Sequence, residues 1–263
     1  MKAVEPIEKW FALRSSPDEI ENRRRLAQLF DDLPVDTSTL LYSQLALFQS
    51  RQDLSRVLLL SDLYRQHILP TAGVIMEFGT FMGRNAALFT NLRSTFEPYN
   101  FTRQVVVFDT FNGLAGVTSK DGTASVAVDG AYSVAVANTD YSKTLERILE
   151  MQEASAPLSH IRKFKIVVGD ARESVKRYLA ENPHTIIACA YFDMDVYEPT
   201  RAVFDAIRPH LHKQSLLVFD ELNCKEFPGE TQALKDSAGL LATRLQRSPL
   251  HPWISYTDCS LLT

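Results

Sequence analysis

Cysteine is scarce in this sequence: Cys189, Cys224 and Cys259 are the only three, and they lie far apart. Such spacing supports neither a disulfide framework nor a zinc site, and it suits a reducing compartment, so a cytoplasmic location is expected. Long apolar runs are missing too. None approaches the roughly 18–20 residues that a membrane span requires. The stretch Met1–Trp10, with Glu5, Glu8 and Lys9, lacks the apolar core of a secretory signal. Positive charge is not in excess either, for the formal net charge is −4. The one basic cluster, Arg23, Arg24 and Arg25, sits among Glu19, Glu21, Asp31 and Asp32 and reads as a solvated helix face. Neither nucleic acid nor an anionic membrane is expected as a partner. There is no internal repeat, no GxGxxG turn and no Tyr-x-x-x-Lys pair, which disfavours a nicotinamide oxidoreductase. The six histidines do not gather at strand ends, and no Ser/His/Asp or Cys/His set competes for a catalytic role.

What is present is ordinary globular composition, 45% hydrophobic and 23% charged, at a length that suits one large α/β domain. Five β-rich apolar runs stand out: Gly73–Gly79, Gln104–Asp109, Phe164–Gly169, Thr185–Asp193 and Ser215–Asp220. They do not alternate cleanly, as expected of strands buried on both faces of a parallel sheet. Helical patterns separate most of them, at Asn85–Leu92, Thr144–Met151, Ala171–Leu179 and Pro199–Leu211. Pro199 suits a first helical turn, and Asp170 with Glu173 resembles a capping box. The expected fold is α/β, a Rossmann-like doubly wound, mostly parallel sheet with helices on both faces. Residues 1–70 are expected to form an N-terminal helical extension of the same unit, with 71–263 as the ligand-binding domain. The extension's amphipathic helices either cover the cleft or pair with a second subunit, and a homodimer is favoured. Pro249–Thr263 is expected to add a last antiparallel pair of strands.

Four of the five runs end in a glycine or an acid (Gly79, Asp109, Gly169, Asp193), and the fifth ends in Asp220 followed by Glu221. Open α/β sheets bind ligands beyond the carboxyl ends of their strands, so a shared cleft is the simplest common cause. The turn Glu77-Phe-Gly79-Thr-Phe-Met-Gly83 allows close backbone approach to a ligand, with a helix N-terminus behind it; a plain tight turn is the alternative. Asp109 is placed to accept from ribose hydroxyls, or is a surface turn acid. Asp170 can accept from an adenine amine while also capping a helix. Asp193-Met-Asp195-Val-Tyr-Glu-Pro-Thr and Asp220-Glu221 carry the most information. If their strands are neighbours, about 4.8 Å apart, Asp193, Asp220 and Glu221 converge. Carboxylates so close repel unless protons or a cation intervene, and a hard divalent ion, Mg²⁺, fits all-oxygen ligation. Helix caps and turn acids are the competing explanation.

Glu77–Gly83, Phe108-Asp-Thr-Phe-Asn-Gly-Leu114, Asp193–Thr200 and Asp220-Glu221 together resemble the macrocin and mycinamicin sugar O-methyltransferase family, from about Leu54 to Asp236. The D-x-D-x-Y-E-x-T string is the specific part. The resemblance implies S-adenosylmethionine as methyl donor and a required Mg²⁺. It implies Asp193, Asp220 and Glu221 as metal ligands and Asp195 as general base. Around the cofactor it implies Glu77, Gly79, Asp109 and Asp170, and with them Thr80, Phe81, Gly83, Asn85, Thr110, Gly169 and Ala171. The acceptor is then a hydroxylated small molecule, a sugar or another secondary metabolite. The chain departs from the family in Asp220-Glu221, where an Asp-Asp pair is usual, and in Gly116–Tyr141. A hydroxylase of the cephalosporin hydroxylase type on the same sheet, and a non-catalytic cofactor-binding subunit, are the rival readings.

Overall fold

The computed structural model describes residues 15–123, 127–134 and 140–261. The chain divides into two compact units, Met1–Leu58 and Leu59–Thr263. In the first, helix α1 (Pro17–Asp31) starts at a reciprocal cap: Ser16 Oγ accepts from Glu19 N–H at 3.2 Å, and Glu19 Oε2 accepts from Ser16 N–H at 2.9 Å. Arg25 meets Glu21 one turn away at 3.0 Å on an exposed face, as the charge pattern implies. Helix α2 (Arg51–Leu63) leads from this unit into the second and runs on through a wider turn to Ile68, just short of Pro70. No helix among the described residues is long and apolar enough to cross a membrane.

The second unit is a seven-stranded sheet in the order β3-β2-β1-β4-β5-β7-β6. Strands β1 (Val74–Phe78), β2 (Val105–Asp109), β3 (Phe164–Val168), β4 (Ile187–Phe192) and β5 (Leu216–Phe219) are parallel. Between them lie α3 (Arg84–Phe96), α4 (Tyr141–Ala154), α5 (Ala171–Glu181) and α6 (Tyr197–Ile207), and α7 (Gly229–Ser237) follows β5. Alternate residues of each strand face opposite ways, and in β1, β2, β4 and β5 both directions are largely apolar. Ile75, Val105, Val107, Cys189, Tyr191, Leu216 and Val218 pack in one core with Phe89, Leu145 and Leu149. Met76, Phe78, Val106, Phe108, Ala190, Phe192, Leu217 and Phe219 pack in the other with Val175, Phe204 and Leu234. This is why the strand sequences show no alternation. It is the expected Rossmann-like arrangement, and the strand order reverses between β1 and β4, where such sheets bind ligands.

Two local expectations are corrected. The antiparallel pair is β6 (Gln246–Arg247) and β7 (Ser255–Asp258), so its first strand precedes Pro249. Pro249 and Pro252 lack the N–H that a ladder needs and fall in the connection. Asp170 does cap α5, but by accepting from Arg172 N–H at 2.9 Å, and Glu173 turns to Lys176 at 3.5 Å instead of closing a box.

Candidate active site

The turn after β1 is shaped by glycines at two points. Gly79 has φ +83°, and a Cβ there would lie 1.9 Å from the Asp193 carbonyl oxygen, so the ends of β1 and β4 touch through bare backbone. Gly83, at φ +87°, opens α3 against the Leu145 side chain. Between them Thr80 and Phe81 present their N–H groups to one oxygen of Asp109, at 2.6 and 2.8 Å. The other oxygen accepts from Phe111 N–H at 2.6 Å. Thr80 Oγ1 donates to buried Glu77 at 2.7 Å. Burial raises the pKa of Asp109, and the three backbone N–H groups oppose that rise.

Asp109 therefore ties the β1 turn to the β2 end. A carboxylate has about four acceptor positions, so ribose contact remains compatible with this role. Asp109→Ala should lower both Tm and cofactor affinity, since the turn loses its acceptor; each charged hydrogen bond is worth roughly 1.5–3 kcal/mol. Calorimetric titration with S-adenosylmethionine, alongside a melting curve, checks this. Unchanged affinity in a folded variant would remove Asp109 from the cofactor site.

Thr110 is turned onto its own loop, its hydroxyl donating to Gly113 O at 2.9 Å. Gly169 and Ala171 flank Asp170 at the β3 end, one strand farther from the acids, where Arg172 holds the Asp170 carboxyl below its ordinary range. Asn85, in the first turn of α3, donates to Asp193 Oδ2 at 3.4 Å. Its own side-chain oxygen is buried with no partner among the described residues.

The acids beyond β4 and β5 do converge. One carboxylate oxygen from each of Asp193, Asp195 and Glu221 lies within 4.8 Å of the others. Asp195, at φ +65°, is held in a backbone conformation that non-glycine residues rarely adopt. Asp220 is not one of these three; its buried carboxylate accepts from the Tyr191 hydroxyl through Oδ1. Burial pushes Asp195 up to about 6, with the Asp220 charge adding to it and a hydrogen bond with Glu221 opposing it. Burial also raises Glu221 well above the carboxylate range, reinforced by the charges of Asp195, Asp220 and Asp193. No basic side chain among the described residues pairs with Asp195 or Glu221.

Sequence reasoning passed over several residues that build this cluster. Glu230, fully buried in the first turn of α7, accepts from Met194 N–H at 3.3 Å and from Glu221 N–H at 3.2 Å, joining the two acidic segments. Asp121 accepts from Tyr197 N–H at 2.6 Å, capping α6 where the apolar Val196 side chain cannot. Tyr132 lies against Phe81 and Phe227, and burial with the charges of Asp195, Glu221 and Asp193 raises its phenol. Pro228 just before Gly229 is a helix-start signal that could have pointed to Glu230; nothing in the spacing marks Asp121 or Tyr132.

With this geometry in view, the chain was compared with known proteins. No protein-family model matches it, and no curated protein sequence does. Among solved structures, CalS11, a calicheamicin methyltransferase, matches at 41% identity and TM-score 0.88, over 93% of this chain and 94% of that one. The apo structure of CalS11, described as a TDP-rhamnose 3'-O-methyltransferase of calicheamicin biosynthesis, matches at 40% identity and TM-score 0.80, over 93% of this chain and 96% of that one. The chain belongs to the sugar O-methyltransferase family. It is an S-adenosylmethionine-dependent methyltransferase, and the hydroxylase and non-catalytic readings give way to that. The O-methyltransferase NovP, at 15% identity and TM-score 0.58 over 78% of this chain and 79% of that one, shares the fold. In this methyltransferase the turn after β1 and the acidic cluster are in direct contact, through Gly79 on Asp193 and through Asn85 on the Asp193 carboxylate.

Proposed function

We propose that this enzyme transfers a methyl group to one hydroxyl of a nucleotide-linked deoxysugar, with Mg²⁺ at its acidic cluster. The observation that carries the acceptor is the 40% identity, over nearly the whole chain, to a TDP-rhamnose 3'-O-methyltransferase. The test is to incubate the purified enzyme with S-adenosylmethionine, Mg²⁺ and TDP-rhamnose and to look for the monomethyl product by mass spectrometry. A panel of nucleotide-linked sugars without a methylated product would overturn the reading.

The donor set supports the metal. Asp193, Asp195 and Glu221 offer only oxygen, as a hard cation prefers. Glu221 Oε2 is buried without a hydrogen-bond partner among the described residues, a costly state that a bound cation relieves. We assign these three carboxylates to hold the ion. Asp220, the remaining expected ligand, accepts from the Tyr191 hydroxyl, and its charge adds to theirs. When bound, S-adenosylmethionine supplies an activated methyl group and Mg²⁺ a Lewis-acidic charge.

The chain's own residues orient and deprotonate. Asp109 holds the Thr80–Phe81 backbone in place for the cofactor. Contact between Gly79 and Asp193 brings that loop against the acids, so donor and acceptor meet with little loss of freedom. Asp195 has two oxygens and can lend one to the cation while receiving the hydroxyl proton on the other. Burial raises its pKa in the metal-free site, and that makes it a stronger base than an exposed carboxylate.

The same shift sets a pH dependence. Asp195 moves from 3.8 to about 6 on folding, so between those values the folded state holds more protons than the unfolded one. The metal-free fold therefore loses stability as pH rises through that window. Mg²⁺ needs the deprotonated carboxylates, so the gain in Tm on adding Mg²⁺ should be small at pH 5 and larger at pH 7. Differential scanning fluorimetry at both values checks this, and an equal or absent gain counts against the site.

A further inference from the structure

Tyr132 is placed by a chain of contacts that starts at the β2 end. Thr110 Oγ1 donates to Gly113 O at 2.9 Å. Leu114 N–H then donates to Ala131 O, and Gly130 N–H to Leu114 O, both at 2.8 Å. Gly113 allows this approach, for a Cβ there would lie 2.3 Å from the Ala131 oxygen. Tyr132 follows with φ +61°, a conformation that a bulky residue adopts only when its surroundings impose it.

The ring that results stands between the two halves of the site. On one side is Phe81 of the cofactor turn, with centroids 6.3 Å apart and planes at 89°. On the other is Phe227, which follows the Asp220-Glu221 pair, at 6.3 Å and 55°. The hydroxyl lies within electrostatic reach of Asp195, Glu221 and Asp193, and among the described residues no group hydrogen-bonds it.

The chemistry of the neighbours gives this hydroxyl a distinct use. Asp193, Asp195 and Glu221 accept when ionised and, as carboxylates alone, take any hydroxyl brought to them. A sugar ring offers several neighbouring hydroxyls of similar acidity, so a carboxylate cluster by itself has little basis for choosing among them. A phenol is protonated at neutral pH and donates. One fixed donor beside several acceptors admits the ring in the register that puts an oxygen lone pair against the phenol, and other registers leave that donor unpaired.

We propose that Tyr132 binds the acceptor, its hydroxyl donating to a sugar oxygen next to the one that is methylated, and so selects the position of methylation. This rests on the sugar O-methylation reading. If Tyr132 instead serves only as an apolar wedge between Phe81 and Phe227, phenylalanine replaces it without loss.

The experiment compares the unaltered enzyme with Tyr132→Phe, using S-adenosylmethionine, Mg²⁺ and TDP-rhamnose, with product positions assigned by NMR. The expected result is a rise of at least about tenfold in KM for TDP-rhamnose, equivalent to roughly 1.4 kcal/mol, and a mixture of positional isomers. Tm and the Kd for S-adenosylmethionine should stay unchanged, which a merely structural loss would not allow. Tyr132→Leu, which removes the ring as well, should lower Tm and raise the same KM further. Unaltered KM and a single product from Tyr132→Phe would overturn the proposal while the sugar reading stands. So would a loss of activity that follows a fall in Tm or in cofactor affinity. If the unaltered enzyme gives no methylated product from TDP-rhamnose, the acceptor reading fails and this proposal fails with it.

Discussion

Excess chelator should reduce methyl transfer to background, and Mg²⁺ or Mn²⁺ should restore it. Three carboxylates share a space within 4.8 Å, with Asp220 and Glu230 adding charge behind them. No basic side chain answers Asp195 or Glu221 among the described residues. Without a cation the cluster neutralises itself by holding protons, as the raised pKa values of Asp195, Glu221 and Glu230 indicate. A protonated cluster makes a poor base and a poor Lewis site, so both parts of hydroxyl activation fail together. Zn²⁺ prefers nitrogen and sulfur ligands and should rescue poorly. The measurement is S-adenosylhomocysteine formation across a metal titration. Full activity in excess chelator would sink the metal proposal and leave Asp195 to act as base alone.

Gly79→Ala should be the most damaging single methyl in the second unit. Its Cβ would lie 1.9 Å from Asp193 O and 2.6 Å from Asp193 C, both backbone atoms of the β4 exit that cannot swing aside as a side chain would. The residue also sits at φ +83°, which alanine resists. Clash and strain at a backbone position belong to the small class of mutations that cost more than about 4 kcal/mol. For a domain of this size that is a fall of roughly 8–16 °C in Tm. Activity should drop further than stability explains, because relief of the clash moves Asp193. Gly239→Ala separates the two causes: Gly239 has φ +75° but nothing within 4 Å of a Cβ, so it bears strain without clash. It should lose only a few degrees and keep its turnover. Equal losses in the two variants would mean that the contact of Gly79 with Asp193 matters little.

The strands and most helices were legible because their signals are local. Val105–Phe108 and Ile187–Phe192 are β-branched, aromatic or small throughout and are each followed by an aspartate, and two apolar faces fit a buried parallel strand. Helix boundaries drifted by a few residues where tertiary packing extended them, as at α3, which runs on to Phe96. Asp193, Asp195, Asp220 and Glu221 could be named as candidates because acids at strand ends stand out against apolar runs. Their division of labour could not be read there, since it depends on side-chain direction. Asp220 lies beside Glu221 in sequence, yet its carboxylate goes to Tyr191 while Asp195 joins the cluster from a strained turn.

The sequence by itself determined the parallel sheet, the glycine turn after β1, the acids at the strand ends and, through the D-x-D-x-Y-E-x-T string, the resemblance to sugar methyltransferases. Each is a property of neighbours along the chain, where periodicity and turn chemistry act. Only the tertiary structure decided which distant groups serve those acids. Glu230 reaches back to Met194 and Glu221, Asp121 caps α6 at Tyr197, and Tyr132 is drawn between Phe81 and Phe227. A buried carboxylate needs donors and a buried N–H needs an acceptor, but neither requirement states where along the chain its partner lies. That choice is made only when the strand order brings the β4 and β5 exits together.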